Sequence, residues 1–251
     1  MNKVINLKSV QMSCTQCSLS QLCLPRGLDK NEFSQLDKII KHERTLKKGE
    51  QLFELGQPFK SLYAVRSGTV KVFLPIKNGD VQVVGFHMPG ELLGFDAIGH
   101  NEHTCTAVAL ETCNICELPS AQLHEHALEI PGLYEHLMSL MSDEITEEHE
   151  MMLMLGRKSA EERIATFLLN LSARYSKRGF SPHKFNLTMS RNDIANYLGL
   201  AVETVSRCIT HMQDEKLIEA NRKYIHILDM EHLCEFVGTT EHECEMMKEG
   251  V

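Results

Sequence analysis

The sequence predicts an α+β fold: an N-terminal cysteine loop, a β-roll of jelly-roll type, one long helix, and a C-terminal winged helix-turn-helix. Three observations carry this. Cysteines spaced Cys14-x2-Cys17-x5-Cys23 fall in a short polar segment. Short apolar runs broken by turn residues fill positions 49–118. From Pro131 the apolar period becomes helical, and two short helical patterns later flank Leu198-Gly199-Leu200. A chain of 251 residues with 43% apolar content can bury a sizeable core and divide into domains. The predicted divisions are 1–28 for the cysteine loop, 29–130 for the roll, 131–158 for the long helix, 159–230 for the winged helix-turn-helix and 231–251 for a tail.

Three thiols within ten positions, in a loop too short to bury them, point to ligands before core residues. Thiolate sulfur is a soft, charged donor suited to iron–sulfur clusters and zinc. A fourth ligand must then come from Cys105, Cys113, Cys116, Cys208, Cys234 or Cys244. Zinc would draw on a second close pair, which Cys113-x2-Cys116 offers. A disulfide with one spare thiol is the third reading. The start, Met1-Asn2-Lys3-Val4-Ile5-Asn6-Leu7-Lys8, lacks the apolar stretch of a secretory signal, so a cytoplasmic location is expected. Nine cysteines, an odd number, then fit reduced thiols better than a disulfide scaffold. No run of about 18 apolar residues is present, so no membrane span is expected.

In the middle of the chain, runs at 51–55, 62–65, 69–74 and 81–87 lead to Gly56, Ser67-Gly68, Asn78-Gly79-Asp80 and Pro89-Gly90. Asn-Gly between apolar strands signals a hairpin, because both residues tolerate positive φ. Alternation in Thr69-Val70-Lys71-Val72-Phe73 gives one buried and one wet face. Many short strands at this spacing predict a sandwich or jelly roll. His87, His100 and His103 lie near glycine turns and are expected in solvent. No paired nucleophile and base and no open metal site emerges, so no enzymatic activity is expected.

Pro131 suits a first helical turn, and helix formers run unbroken to Leu155. Tyr134, Met138, Met141, Ile145, Glu148, Met152 and Leu155 recur at alternating spacings of four and three, a heptad seam that predicts a parallel homodimer. A helix packed only on its own domain needs a broader stripe. Glu148 is the one charge in the seam. Two copies would oppose each other in a symmetric pair and weaken it, unless the side chain leans out to water.

Ser190 with Asp193 forms a capping-box pattern, and the helix it opens carries Ile194, Ala195 and Leu198 on one face. After the Leu198-Gly199-Leu200 turn, residues 202–213 form a second helix. Val205, Ile209 and Met212 point inward, while Glu203, Ser206, Arg207 and Thr210 point out. Outward side chains near the start of such a helix reach base edges in the major groove. Arginine grips guanine O6 and N7, and glutamate accepts from cytosine N4. Tyr224-Ile225-His226-Ile227 after Asn221-Arg222-Lys223 is the wing. Charge agrees with this placement. The whole chain carries −8, yet residues 157–224 hold 12 Lys and Arg against 7 Asp and Glu, leaving 14 against 27 elsewhere. A locally basic segment on an acidic body suits double-stranded DNA as a partner.

The chain resembles the cyclic-AMP-receptor superfamily and, within it, the fumarate and nitrate reduction regulators. The resemblance spans nearly the whole length. It rests on Cys14-Thr15-Gln16-Cys17-Ser18-Leu19-Ser20-Gln21-Leu22-Cys23, on Lys60-Ser61-Leu62-Tyr63-Ala64-Val65-Arg66-Ser67-Gly68, on Gly94-Phe95-Asp96-Ala97-Ile98-Gly99 and on Val202-Glu203-Thr204-Val205-Ser206-Arg207. It implies a cyclic-nucleotide-binding-like roll that senses oxygen through a [4Fe–4S] cluster held by Cys14, Cys17, Cys23 and one roll cysteine. In the family that cysteine follows Ala-Leu-Glu-Thr and precedes an acidic residue. The stretch Ala109-Leu110-Glu111-Thr112-Cys113-Asn114-Ile115-Cys116-Glu117 places it at Cys116, with Cys113 competing.

The same resemblance implies anaerobic homodimers on TTGAT-type inverted repeats, activation or repression of genes of anaerobic metabolism, and shutdown when oxygen breaks the cluster. It also implies a contact of the Gly79-Asp80 loop with RNA polymerase. A zinc- or thiol-based redox regulator on the same scaffold is the alternative. Cyclic-nucleotide-binding relatives carry Arg-Ser-Ala after their Gly-Glu-Leu; this chain keeps Gly90-Glu91-Leu92 but has Thr104-Cys105-Thr106-Ala107 in the later stretch, so no arginine neutralises a phosphate there and no cyclic nucleotide is expected. Val202 stands where cyclic-AMP receptors carry arginine, in keeping with a changed base preference. Ala201 replaces the usual Ser or Thr cap, a loss of about 1 kcal/mol. Tyr134 replaces an arginine common near the start of the family's dimer helix, which removes a salt bridge from that end.

Overall fold

A computed structural model describes residues 13–76, 79–126, 130–238 and 244. The start at 1–8, Asn78 of the hairpin and the acidic tail apart from Cys244 lie outside the described residues. The chain forms two compact units, Met1–Asp143 and Glu144–Val251.

In the first unit, helix α1 (Lys30–Ile39) opens on a capping box. The Asp29 carboxylate accepts from the Asn31 and Glu32 N–H groups, and Glu32 accepts from Asp29 N–H. Eight strands follow: β1 (Lys41–Leu46), β2 (Gln51–Phe53), β3 (Ser61–Ser67), β4 (Val70–Pro75), β5 (Val81–His87), β6 (Leu92–Leu93), β7 (Thr106–Ala109) and β8 (Cys113–Pro119). They form two four-stranded antiparallel sheets, ordered β1-β8-β3-β6 and β2-β7-β4-β5. The predicted jelly-roll type holds. Between the β4 and β5 strands Gly79 takes φ +84°, as the hairpin reading requires.

The sheet containing β3 is covered on both faces. Tyr63 and Val65 join Phe53, Val70, Cys113 and Ile115 in the sandwich core. Leu62 and Ala64 face the other way and pack with Leu24, Leu36, Leu118, Ile130, Leu133 and Leu137. Double coverage explains why β3 shows a continuous apolar run where β4 alternates. His103 departs from expectation. It is 1% exposed and stacks on Phe53 with ring centroids 3.7 Å apart, while its Nδ1 lies 3.4 Å from Asp96 Oδ1. An aromatic wall and a carboxylate outweigh the nearby glycines. His100 is exposed and His87 half-buried.

After α2 (Ser120–His126), helix α3 (Pro131–Arg157) begins at Pro131 and ends two residues beyond the predicted Leu155. Leu133 and Leu137 bury one stripe in the first unit's core, and Met154 is buried in the second unit. Of the predicted seam, Tyr134, Met138, Ile145, Glu148, Met152 and Leu155 are exposed, and Met141 is half-buried. The helix therefore carries two apolar stripes, one packed within the chain and one presented outward.

The second unit is built on α4 (Ala160–Lys177), capped by Ser159 with Glu162 and buried through Ile164, Ala165, Phe167, Leu168 and Leu171. Helices α5 (Arg191–Leu198) and α6 (Val202–Asp214) follow, and strands β9 (Lys184–Asn186), β10 (Ile218–Asn221) and β11 (Tyr224–Ile227) form a sheet ordered β10-β11-β9. Residues assigned to a tail from 231 onward contain most of α7 (Met230–Phe236), which buries Met230, Leu233 and Cys234. Cys234 is disulfide-bonded to Cys244, against the expectation of nine reduced thiols, because the two buried residues stand within bonding reach, Cα atoms 5.9 Å apart. The other seven cysteines form no disulfide.

Candidate cysteine pocket and nucleic-acid interface

The cysteine loop follows a succession of tight turns. Cys17 N–H donates to the Cys14 carbonyl at 3.1 Å, Ser20 to Cys17 at 3.2 Å, and Arg26 to Cys23 at 2.9 Å. Three side anchors fix its path. Cys14 N–H donates to Asp37 Oδ1 on α1 at 2.6 Å. His136 Nε2 on α3 donates to the Cys23 carbonyl at 3.2 Å. Leu22 packs over Gly90, where an added Cβ would meet the Leu22 Cβ at 3.0 Å. Gly90 also needs its φ of +94°, so both space and conformation exclude a side chain there.

Cys14, Cys17, Cys23 and Cys116 line one cavity with Leu24, Ile40, Ala64 and Arg66. Cys116 comes from β8, directly opposite Ala64 on β3. Cys113 does not line it. Its side chain is fully buried in the sandwich core and its Sγ donates to the Thr69 and Glu111 carbonyls at 3.3 and 3.4 Å. A strand alternates faces residue by residue, so positions three apart point to opposite sides.

Burial is the main reason that the Cys14 thiol titrates far above the ordinary thiol range, and Asp37, Cys116 and Cys23 add to it. Burial likewise pushes Cys23 up to about 12, against a lowering hydrogen bond from the Leu24 backbone, with Cys116 and Cys17 contributing. The thiols thus lie close enough to repel one another as anions, and a cationic centre among them would displace their protons. Among the described residues, no group of three or more His, Cys, Asp or Glu is arranged to hold a metal ion. The donors surround a space instead of converging on a point. A purely sulfur donor set around a cavity fits an iron–sulfur cluster in its chemistry. Asp37, Arg66 and His136 escaped the sequence reading, because their partners are backbone groups or a cavity wall distant in sequence.

In the second unit, α5 opens on the predicted Ser190/Asp193 capping box and ends at Gly199, φ +63°. Arg163 fixes the geometry behind it, donating to the carbonyls of Leu198 at 3.0 Å, Lys158 at 3.0 Å and Leu155 at 2.7 Å. In α6, Val205, Ile209 and Met212 are buried as expected, and Cys208 joins them. Glu203, Ser206, Arg207 and Thr210 are exposed, and Val202 is half-exposed. Arg207 donates to Thr204 Oγ1 at 3.4 Å, while the Ser206 hydroxyl is returned to the Val202 carbonyl at 3.0 Å. Ala201 provides no side-chain cap. The wing turns at Arg222, φ +54°, beside Lys223.

A jelly roll followed by a long helix and a winged helix-turn-helix with an exposed polar recognition face defines a DNA-binding transcription regulator. Residues 43–128 match the cyclic nucleotide-binding domain family and residues 162–236 the Crp-like helix-turn-helix domain family. The chain is 51% identical to the transcriptional activator protein Anr of Pseudomonas protegens, over 91% of this chain and 93% of that one. It is 46% identical to the fumarate and nitrate reduction regulatory protein of Escherichia coli, over 91% and 92%. The structure of FixK2 from Bradyrhizobium japonicum superposes with a TM-score of 0.72 at 27% identity, covering 78% of this chain and 96% of that one. The chain belongs to the family of fumarate and nitrate reduction regulators, a family of transcription regulators and not of enzymes. No helix among the described residues is long and apolar enough to cross a membrane.

Proposed function

We propose that this regulator senses oxygen through a [4Fe–4S] cluster held by Cys14, Cys17, Cys23 and Cys116, and that the cluster governs homodimerisation and DNA binding. The observation that carries the reading is the shared cavity lined by these four thiols and by no other cysteine. When bound, the cluster supplies iron–thiolate links that persist without oxygen and are lost with it. The chain's own residues do the rest. Asp37 holds Cys14 to α1, His136 ties the Cys23 carbonyl to α3, and Glu32 Oε1 accepts from Gly132 N–H at 2.9 Å in the first turn of α3. Order in the loop is thereby coupled to the start of the dimer helix.

Tyr134, Met138, Met141, Ile145, Met152 and Leu155 form the seam, with Glu148 its opposing charge. In the dimer two α6 helices address half-sites about 34 Å apart. TTGAT-type inverted repeats are the proposed targets, at genes of anaerobic metabolism, read by Val202, Glu203, Ser206 and Arg207. The exposed Gly79-Asp80 turn is the proposed contact with RNA polymerase. A cyclic nucleotide is not the effector in this reading. Asp96 accepts from Thr104 N–H at 2.8 Å and from the Cys105 thiol at 3.4 Å, and no arginine is among Thr104, Cys105, Thr106 and Ala107 to neutralise a phosphate, which supports this reading.

Iron, sulfide and zinc analysis of anaerobically purified protein tests the proposal, together with gel shift on a TTGAT inverted repeat before and after air. Iron and sulfide in equal amounts, with air-sensitive DNA binding, is the expected result. Zinc without sulfide would sink it.

A further inference from the structure

Of the cysteines outside the cavity, Cys105, Cys113 and Cys208 are buried and form no disulfide. Cys234 and Cys244 differ. Both belong to the second unit, their Cα atoms stand 5.9 Å apart and ten positions separate them in sequence. That separation lies within the range of about 4.4–6.8 Å that a disulfide spans without moving the backbone. Both are nearly inaccessible, at 2% and 5% exposure. Cys234 shares the inner face of α7 with Met230 and Leu233, and the Cys244 sulfur lies 4.0 Å from the Met230 carbonyl.

We propose that Cys234 and Cys244 are a second redox site, independent of the cysteine pocket: a dithiol that a peroxide oxidises to a disulfide, fastening Cys244 onto α7. Hydrogen peroxide takes one thiolate to a sulfenic acid and releases hydroxide. The other thiol attacks that sulfur and water leaves, so two thiols and one peroxide give one disulfide and two waters. Both sulfurs are covered when paired, so oxidation starts from an opened state in which Cys244 has left α7. Soluble thiols reach the closed disulfide only through the same opened state, so its reduction is slow but goes to completion. In a reducing compartment a disulfide is seldom a permanent staple, and a pair that forms there reports on oxidant.

The test uses the full-length protein treated with hydrogen peroxide, alkylated and mapped by peptide mass, with and without dithiothreitol. Positions 234 and 244 should lose alkylation together and appear in one cross-linked peptide. The thermal midpoint of the second unit should rise by about 10 °C, from closing a loop of this length. Dithiothreitol should reverse both effects. Cys244→Ser should abolish the cross-link and the shift while iron content and DNA binding stay at wild-type levels. The proposal is overturned if peroxide leaves both positions alkylatable, or if either pairs with another cysteine. The map of the wild-type protein decides this even if the variant folds poorly, and it does so whether or not the pocket holds a cluster.

Discussion

Cys113 and Cys116, three residues apart on β8, serve opposite faces of the strand: the first is sealed in the sandwich core and the second lines the cavity with the N-terminal cysteines. Their separate surroundings predict separate losses. Cys116→Ser should abolish iron and sulfide incorporation and the broad visible absorption of the anaerobic protein. Cys113→Ser should keep both, because a hydroxyl can make the same donations to Thr69 and Glu111, at about 1 kcal/mol of stability. The reverse pattern would assign the ligand to the wrong face.

Glu148→Ala leaves a continuous apolar stripe along α3 from Met138 to Leu155. If facing carboxylates hold the air-exposed protein apart, this variant dimerises and binds DNA aerobically. Ile145→Glu adds a second charge at a position now 53% exposed and should stay monomeric even with its cluster. Sedimentation of both variants with and without oxygen decides. An aerobic Glu148→Ala monomer would leave the switch entirely to the proposed cluster.

Arg207 is exposed on α6 and held only by a weak bond to Thr204. Arg207→Ala should cost about 1–3 kcal/mol on the protein's own site and relax discrimination at one guanine of each half-site. Competition with substituted operators measures this. Uniform weakening on all sequences would make Arg207 a phosphate contact.

Arg163→Ala removes a guanidinium that satisfies three carbonyls at the ends of α3 and α5. The loss should be about 2 kcal/mol, since hydrogen bonds from charged donors exceed neutral ones. Urea unfolding of the second unit should show it, with DNA affinity falling in parallel because α5 loses its support. An unchanged midpoint would mean that water replaces Arg163 at all three oxygens.

The architecture was legible where local signals are strong. Pro131, the Ser190/Asp193 box, Gly199 and the alternation of β4 each dictate backbone geometry within a few residues, and the elements stand where those signals put them. That Cys113 and Cys116 serve opposite faces was also within reach, since strand parity separates them once β8 is placed. Other features depend on distant partners. His103 is buried by Phe53, fifty positions earlier, and no local pattern announces that. α7 escaped because its apolar stripe is short and its acidic surroundings look like a solvated tail. Asp37 and His136 act on backbone groups of the cysteine loop, and a carbonyl or N–H leaves no trace in the sequence.

Glycine in the first turn of a helix weakens it, yet Gly132 sits second in α3. A Cβ there would come within 2.7 Å of Glu32 Oε2 and 2.9 Å of Leu28 Cδ2. One carboxylate answers the opening N–H of α1's cap with Oε2 and α3's second residue with Oε1. The two helices share a single cap across a hundred residues of sequence, so neither end can fray without exposing the other's. The first turn of the long helix is thus tied to the short helix that precedes the roll.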